Sequence, residues 1–273
     1  MKWVASLGLV AALGVGAAAG FATSASARPR HVHTTATATP ATAPVTTASF
    51  SFTVSVSGIA KGLGTISLSG TGQADLVNDA VSLSATLPAS VAALIPGGSA
   101  APETVNAVLS GGTVYVDVPA LATLVGEPWI SVALPSSADS AIPGIFTEVG
   151  GALGDVNEIL AFARSHHASV HSLGSSNVDG TSVTGSRVSA HLQGFTLAAT
   201  LWANSSDQLV QATVHGGHRS LGISAVVNFT GYDGPVTITV PPSSEVRAIP
   251  LSVVTSVLGG LLSHAHLGLG KKI

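Results

Sequence analysis

Ten histidines are the first residues of this chain to suggest chemistry. Nine of them fall as His31-x-His33, His166-His167 with His171, His215-x-x-His218, and His264-x-His266, and His191 stands apart. On a helix, His167 and His171 would share one face, as zinc ligands do. No cysteine and no paired acid accompanies any of these clusters, so the expectation is solvated histidines and no metal. Ser220 lies in His218-Arg219-Ser220-Leu221-Gly222. A nucleophile elbow needs glycine two residues before the serine, on a strand-to-helix turn; here His218 holds that place and the segment reads as a turn into a strand. The acids Glu103, Asp117, Glu127, Glu148, Asp155 and Glu158 form no recognisable pair for proton transfer. Gly62–Gly72 is glycine-rich, but its spacing is not that of a phosphate loop. The chain is therefore expected to be neither an enzyme nor a cofactor binder.

Composition and the N-terminal segment narrow the class further. Met1-Lys2 opens a weakly basic start, an apolar run follows from Val4 to about Phe21, and Ala25-Ser26-Ala27 precedes Arg28. This is the layout of a secretory signal peptide spanning 1–27, with cleavage favoured over retention as a membrane anchor by the glycines and the Ala-x-Ala site. Residues 28–48 are Thr/Ala/Pro-rich without apolar period and read as a disordered linker. With no cysteine, an exported product has no disulfides and must depend on its core. Only 8% of residues are charged, against about 25% in a typical soluble domain, so the surface must be mostly Ser, Thr, Gly and Asn. A net charge of −3 and the lack of any basic run argue against nucleic acid. Asn204-Ser205-Ser206 and Asn228-Phe229-Thr230 match a glycosylation acceptor, by accident in a bacterial-looking sequence.

The elements that would position any site are mainly strands. Phe50, Phe52, Val54 and Val56 alternate with Ser51, Thr53 and Ser55, the period of a half-buried strand. Thr65–Leu76 and Ala80–Leu87 form a pair around Asn78-Asp79, and the runs at Val105–Leu109 and Val114–Val118 flank Gly111-Gly112 as a hairpin. Trp129–Leu134 is one more strand. Residues 138–165 then read as helix in two pieces, with Ile145, Val149, Leu153, Val156, Ile159, Leu160 and Ala163 at spacings of three and four. Asp155 and Glu158 stand in capping-box positions for the second piece. Strands resume at about 168–174, 181–193, 194–203, 208–215, 220–230 and 235–240, the last alternating as Val236, Ile238 and Val240 before Pro241-Pro242 stops it as an edge strand. This pattern predicts an α+β fold: a large antiparallel sheet with one face covered by a helical insert. A two-sheet sandwich is the alternative, and it leaves the helix unexplained. The apolar residues 247–273 are expected to form a helical C-terminal tail that packs on the protein or touches a membrane surface, too interrupted by Gly and His to span one.

Five stretches occur in an order that resembles a known family: GTGQADLVNDAVSLSATLP (70–88), GGTVYVDVPAL with GEPWISVAL (111–134), GDVNEILAFAR (154–164), SSNVDGTSVTGSRVSAHL (175–192) and YDGPVTITVPPSSEV (232–246). Together they resemble the LppX/LprG-like family of actinobacterial cell-envelope lipoproteins. The resemblance implies a LolA-like fold over 49–246, a strongly curved half-barrel sheet wrapped around helices, with an apolar cavity that binds acylated lipids or glycolipids for transport across the envelope. Two departures stand out: the family's lipidated cysteine is absent, and Ser186 stands where members often have an aromatic. On this reading Val54, Val56, Leu83, Val114, Val116, Leu192 and Leu197 would line the cavity from the sheet. Ile145, Val149, Leu153, Ile159 and Leu160 would line it from the helical side. The expected protein is an exported, monomeric carrier of a lipid or glycolipid, with peripheral contact to membrane or wall. The competing expectation is a structural or interaction protein of the envelope in which the cavity has collapsed.

Overall fold

The computed structural model describes residues 45–58, 64–93, 101–133, 156–165, 167–192, 195–218 and 221–250. Among these, the strands are β1 (Thr47–Ser57), β2 (Thr65–Asp75), β3 (Ala80–Leu87), β4 (Glu103–Ser110), β5 (Thr113–Asp117), β6 (Trp129–Ala133), β7 (Ser169–Val178), β8 (Thr181–Leu192), β9 (Phe195–Ala203), β10 (Leu209–His218), β11 (Leu221–Tyr232) and β12 (Val246–Ala248). The described helices are α1 (Ala89–Ala92), α2 (Pro119–Val125) and α3 (Val156–Ser165), with a 3-10 turn at Ser243–Glu245. All twelve strands belong to one open sheet in the order β12-β6-β5-β4-β3-β2-β1-β11-β10-β9-β8-β7. The sandwich alternative is therefore not formed by the described strands.

The chain lays the sheet down as two meanders. β1 to β6 run outward from the centre; β7 then starts at the far edge and successive hairpins return to β11, which pairs with β1. Tight turns carry the hairpins because their residues accept positive φ: Asp79 at 48°, Gly111 and Gly112 at 56° and 72°, and Asp179-Gly180 at 48° and 85°. The seam between the meanders is latched at one end. Asp233 Oδ1 accepts hydrogen bonds from the Thr46 amide (2.8 Å) and hydroxyl (3.0 Å), and the Thr47 hydroxyl donates to the Gly234 carbonyl (2.7 Å). The two bonds from Thr46 hold the Asp233 carboxyl below its ordinary range, the Thr46 amide contributing most.

Period-2 alternation sorts the side chains onto two faces. Ser51, Thr53 and Ser55 of β1 look outward, whereas Ala48, Phe50, Phe52 and Val54 are buried on the inner face. The register carries that inner row sideways, through Phe50↔Gly72, Gly72↔Leu83, Leu83↔Ala107 and Ala107↔Val116 in one direction and Phe50↔Phe229 in the other. β3 lies close against Gly70 of β2: a Cβ there would run into the backbone of β3, at the Ser84 carbonyl and within 2.8 Å of Ala85 Cα. Glycine inside a strand marks such a close backbone approach, and a sheet this wide curls rather than staying flat.

α3 lies on the inner face over the second meander. Val156 and Leu160 are buried with Leu201, Ala203 and Leu209, and Ala163 is buried with Ala168 and Ala190. The spacing of these three helical residues makes one apolar stripe. The Val156 amide donates to the Asp207 carbonyl (2.9 Å), which fixes the helix start against the β9–β10 turn. The rest of the expected insert, 138–155, lies outside the described residues, as does Asp155 with its expected cap.

Three expectations need correction. Val236–Val240 alternates in exposure in part but joins no ladder; Pro235, Pro241 and Pro242 lack the N–H groups a sheet requires, and the segment runs as unpaired extended chain. The last strand is instead Val246–Ala248, parallel to β6 in the register Val246↔Trp129, with Ile249 N–H donating to the Ser131 carbonyl (2.8 Å). The first residues of the stretch read as tail are thus in the sheet. At the other end the sheet begins within the stretch read as linker: β1 starts at Thr47, and Val45 is buried.

Candidate apolar ligand face

Along the strands, the inner face carries aromatic rings at one end and is only half-buried at the other. At the filled end, aromatic rings occupy the centre. Phe50 lies 6.4 Å from Phe52 and 6.1 Å from Phe229 between ring centroids, and Phe229 stacks on Tyr232 at 5.8 Å. The glycines of β2 make room for them. A Cβ on Gly72 would meet the Phe50 ring and lie 2.7 Å from Leu83 Cδ2, and one on Gly70 would lie 2.9 Å from Phe52 Cζ. Tyr232 donates its hydroxyl to the Leu209 carbonyl (2.7 Å), and burial pushes its phenol well above the ordinary range. It is a latch within the core, with no free proton to offer near neutral pH.

Toward the other end, the inner row is Ile66–Val56–Ile223–Gly216–Leu197, set by the registers of β2, β1, β11, β10 and β9. Every one of these residues is only half-buried. Leu68 and Leu87, one row inward on β2 and β3, are half-buried as well. At the corner of this patch stands Glu103. The register Leu87↔Glu103 and its alternation with Val105, Ala107 and Leu109 put it on the inner face. Its Oε2 is buried and has no hydrogen-bond partner among the described residues. The patch can do one thing chemically: it can cover an apolar chain, and it has an acceptor at one corner.

The residues expected to line a cavity do not fall together. Val54, Leu83 and Val114 are buried on the inner face, at 3%, 7% and 3% exposure, and belong to its filled part. Val56 and Leu197 are in the half-open row, and Val116 is half-buried beside Ala107. Leu160 is buried between α3 and the sheet, with Ile159 half-buried next to it. Leu192 closes β8, and its side chain lies outside the described residues. Ile145, Val149 and Leu153 lie outside them altogether. Sequence reasoning missed Ile66, Leu68, Leu87, Ile223 and Glu103. Alternation alone would have placed Glu103, since it precedes Val105, Ala107 and Leu109 at steps of two.

The histidines are not arranged as expected for a helical pair. His167 sits in the turn after α3 with φ of 61°, and His171 lies on β7 opposite Arg187, both exposed. Among the described residues no three His, Cys, Asp or Glu side chains gather as a metal site would require. Ser186 lies on the inner face of β8 opposite Leu201 and Ser172, half-buried.

No protein-family model matches the chain, and no curated protein matches it. Its structural neighbours are LppX, outer-membrane lipoprotein-sorting and LolA-superfamily proteins. The lipoprotein LppX of Mycobacterium tuberculosis is 15% identical over 71% of this chain and 90% of its own, with a TM-score of 0.37. A putative outer-membrane lipoprotein-sorting domain from Vibrio parahaemolyticus is 7% identical over 70% of this chain and 87% of its own, with a TM-score of 0.27. A LolA-superfamily protein from Nitrosomonas europaea is 11% identical over 76% of this chain and 90% of its own, with a TM-score of 0.26. No helix among the described residues is long and apolar enough to cross a membrane.

Proposed function

We propose that this chain is an exported envelope protein that binds the acyl part of a lipid on the inner face of its sheet and carries it without turnover. The observation that supports this reading is the half-open row Ile66–Val56–Ile223–Gly216–Leu197, an apolar strip continuous with the core but not covered like it. Apolar surface left near water is worth about 25 cal/mol per Å2 to whatever covers it. Each methylene of an acyl chain laid there contributes about 0.8 kcal/mol before the costs of association. A long chain could bind on such a strip without any specific polar contact, which suits a carrier. The signal-peptide layout of residues 1–27 supports export, with Arg28 as the expected first residue of the mature protein.

The experiment is uptake of a fluorescent acyl probe by protein stripped of lipid with organic solvent, beside mass spectrometry of the extract. Micromolar or tighter binding is expected. Ile223→Trp should weaken it at least tenfold while leaving the melting transition in place, because Ile223 is half-buried and faces Gly216 across the strand pair. The competing reading, an interaction protein with a collapsed interior, has its own supporting observation in the aromatic-filled end. It prevails if stripped protein takes up no acyl probe and its extract holds no lipid.

A further inference from the structure

We propose that Glu103 is the head-group acceptor of the apolar face, and that the preferred ligand is a neutral acyl lipid with a free hydroxyl, such as a monoacylglycerol. This rests on the lipid-binding reading and goes beyond it to the class of lipid. Glu103 lies on the inner face of β4, joined through Leu87 to the half-open patch. Its Oε2 is buried without a hydrogen-bond partner among the described residues. A buried acceptor left unpaired is costly, and a donor arriving with a ligand would recover that cost. The donor must also tolerate a carboxylate. A fatty acid brings a second carboxylate to the same corner and is repelled. A phosphate head needs a cation, and the described inner face of β1–β4 and β8–β11 carries no Lys or Arg; Arg187 of β8 points outward and is exposed. A hydroxyl group donates one hydrogen bond, adds no charge, and leaves its acyl chain free to follow Leu87, Leu68 and Val56.

The test is displacement of a bound fluorescent acyl probe by four ligands of one chain length: monooleoylglycerol, methyl oleate, oleic acid and monooleoyl phosphatidic acid. Wild-type protein is expected to prefer monooleoylglycerol over methyl oleate by about tenfold, the scale of a hydrogen bond to a charged acceptor. Glu103→Leu should abolish that preference while binding methyl oleate at least as tightly. Glu103→Gln, whose amide oxygen still accepts, should keep part of it. Equal affinity of wild type for monooleoylglycerol and methyl oleate would overturn the proposal. So would a preference that survives Glu103→Leu, or tighter binding of either anionic lipid. If Glu103→Leu fails to fold, the four-ligand series on wild type and Glu103→Gln decides. If no acyl compound binds at all, the carrier reading falls first and this inference with it, a result distinct from binding without head-group preference.

Discussion

Replacing Gly70 by alanine is the sharpest single test of the close approach of β3 to β2. The added methyl would strike the Ser84 carbonyl and lie 2.8 Å from Ala85 Cα, both backbone atoms of β3, and 2.9 Å from Phe52 Cζ. Backbone atoms have no rotamer by which to move aside, so the Gly70↔Ala85 rung of the ladder must open. Gly72→Ala is the control, because the three atoms nearest its methyl belong to the side chains of Phe50 and Leu83. Overpacking a core costs about 1–3 kcal/mol, against a gain of about 0.5–1 kcal/mol from removing glycine's freedom in the unfolded chain. Gly72→Ala should therefore lose about 1 kcal/mol, and Gly70→Ala about 2 kcal/mol or more. For a domain of this size each kcal/mol lowers Tm by about 2–4 °C. Urea unfolding of both variants, with Phe50→Leu and Phe52→Leu added in double-mutant cycles, separates the two causes. Phe50→Leu should rescue Gly72→Ala in part, while Phe52→Leu should rescue Gly70→Ala little. A Gly70→Ala protein as stable as wild type, or fully rescued by Phe52→Leu, would refute the backbone contact at Gly70.

Leu160→Ala should destabilise the fold by about 2–4 kcal/mol, because its side chain is buried among Leu201, Ala203 and Leu209; a loss below about 1 kcal/mol in urea unfolding would mean α3 is not docked there. Asp233 has a carboxyl held below its unfolded value, so its contribution to stability is present above about pH 4, the unfolded carboxylate range, and is lost as pH falls through the lower folded value. Asp233→Asn should therefore flatten the acid limb of the stability curve below about pH 4, leaving the part due to Asp75, whose carboxyl is lowered by Asn78; unchanged acid dependence would remove the latch from the account.

Most of the sheet was legible because its signal is local. Phe50–Val56 alternates so regularly that its buried face needs no partner to be known, and Gly111-Gly112 marks a hairpin by φ alone. Val156–Ser165 was legible as a helix for the same reason, its apolar residues recurring at three and four. What failed depends on partners. Val236–Val240 carries the same alternation as β1, yet a strand also needs a neighbour with matching N–H and C=O groups, which its flanking prolines deny it. β12 is three residues long and pairs in parallel with β6, far away in sequence, and no local period announces such a rung. The strand expected at about 168–174 misses only the second half of β7, which runs Ser169–Val178; its Ser-rich, largely exposed course from Ser175 onward has no apolar face to read. For the candidate site, alternation tells which face a residue takes, but the order of strands and the rows along them decide whether that face is filled. That is why Val54 and Val56, two steps apart on one strand, end in different environments.

The difference between the two ends of the inner face comes down to what lies opposite the glycines. In β2, Gly70 and Gly72 leave hollows that Phe52 and Phe50 enter, and the residues around them are excluded from water. On the outer face Gly185 is treated in the same way, with the Trp202 ring lying directly over it. Gly216 is the exception among these strand glycines. Among the described residues, a Cβ placed there would have Leu197 Cδ1 at 3.3 Å and the Thr196 carbonyl at 3.7 Å for neighbours, and none of the described rings lies against it. Its row-mates Ile223 and Leu197 are half-buried. A chain with only 4% aromatic residues has few rings with which to fill such hollows. The rings of Phe50, Phe52, Phe229 and Tyr232 gather at one end of the inner face, while the described row of Gly216 is made of Gly and aliphatic side chains. On the lipid-carrier proposal, such a row would take a flexible apolar occupant spread along it, and Glu103 Oε2, without a hydrogen-bond partner among the described residues, would meet that occupant's end.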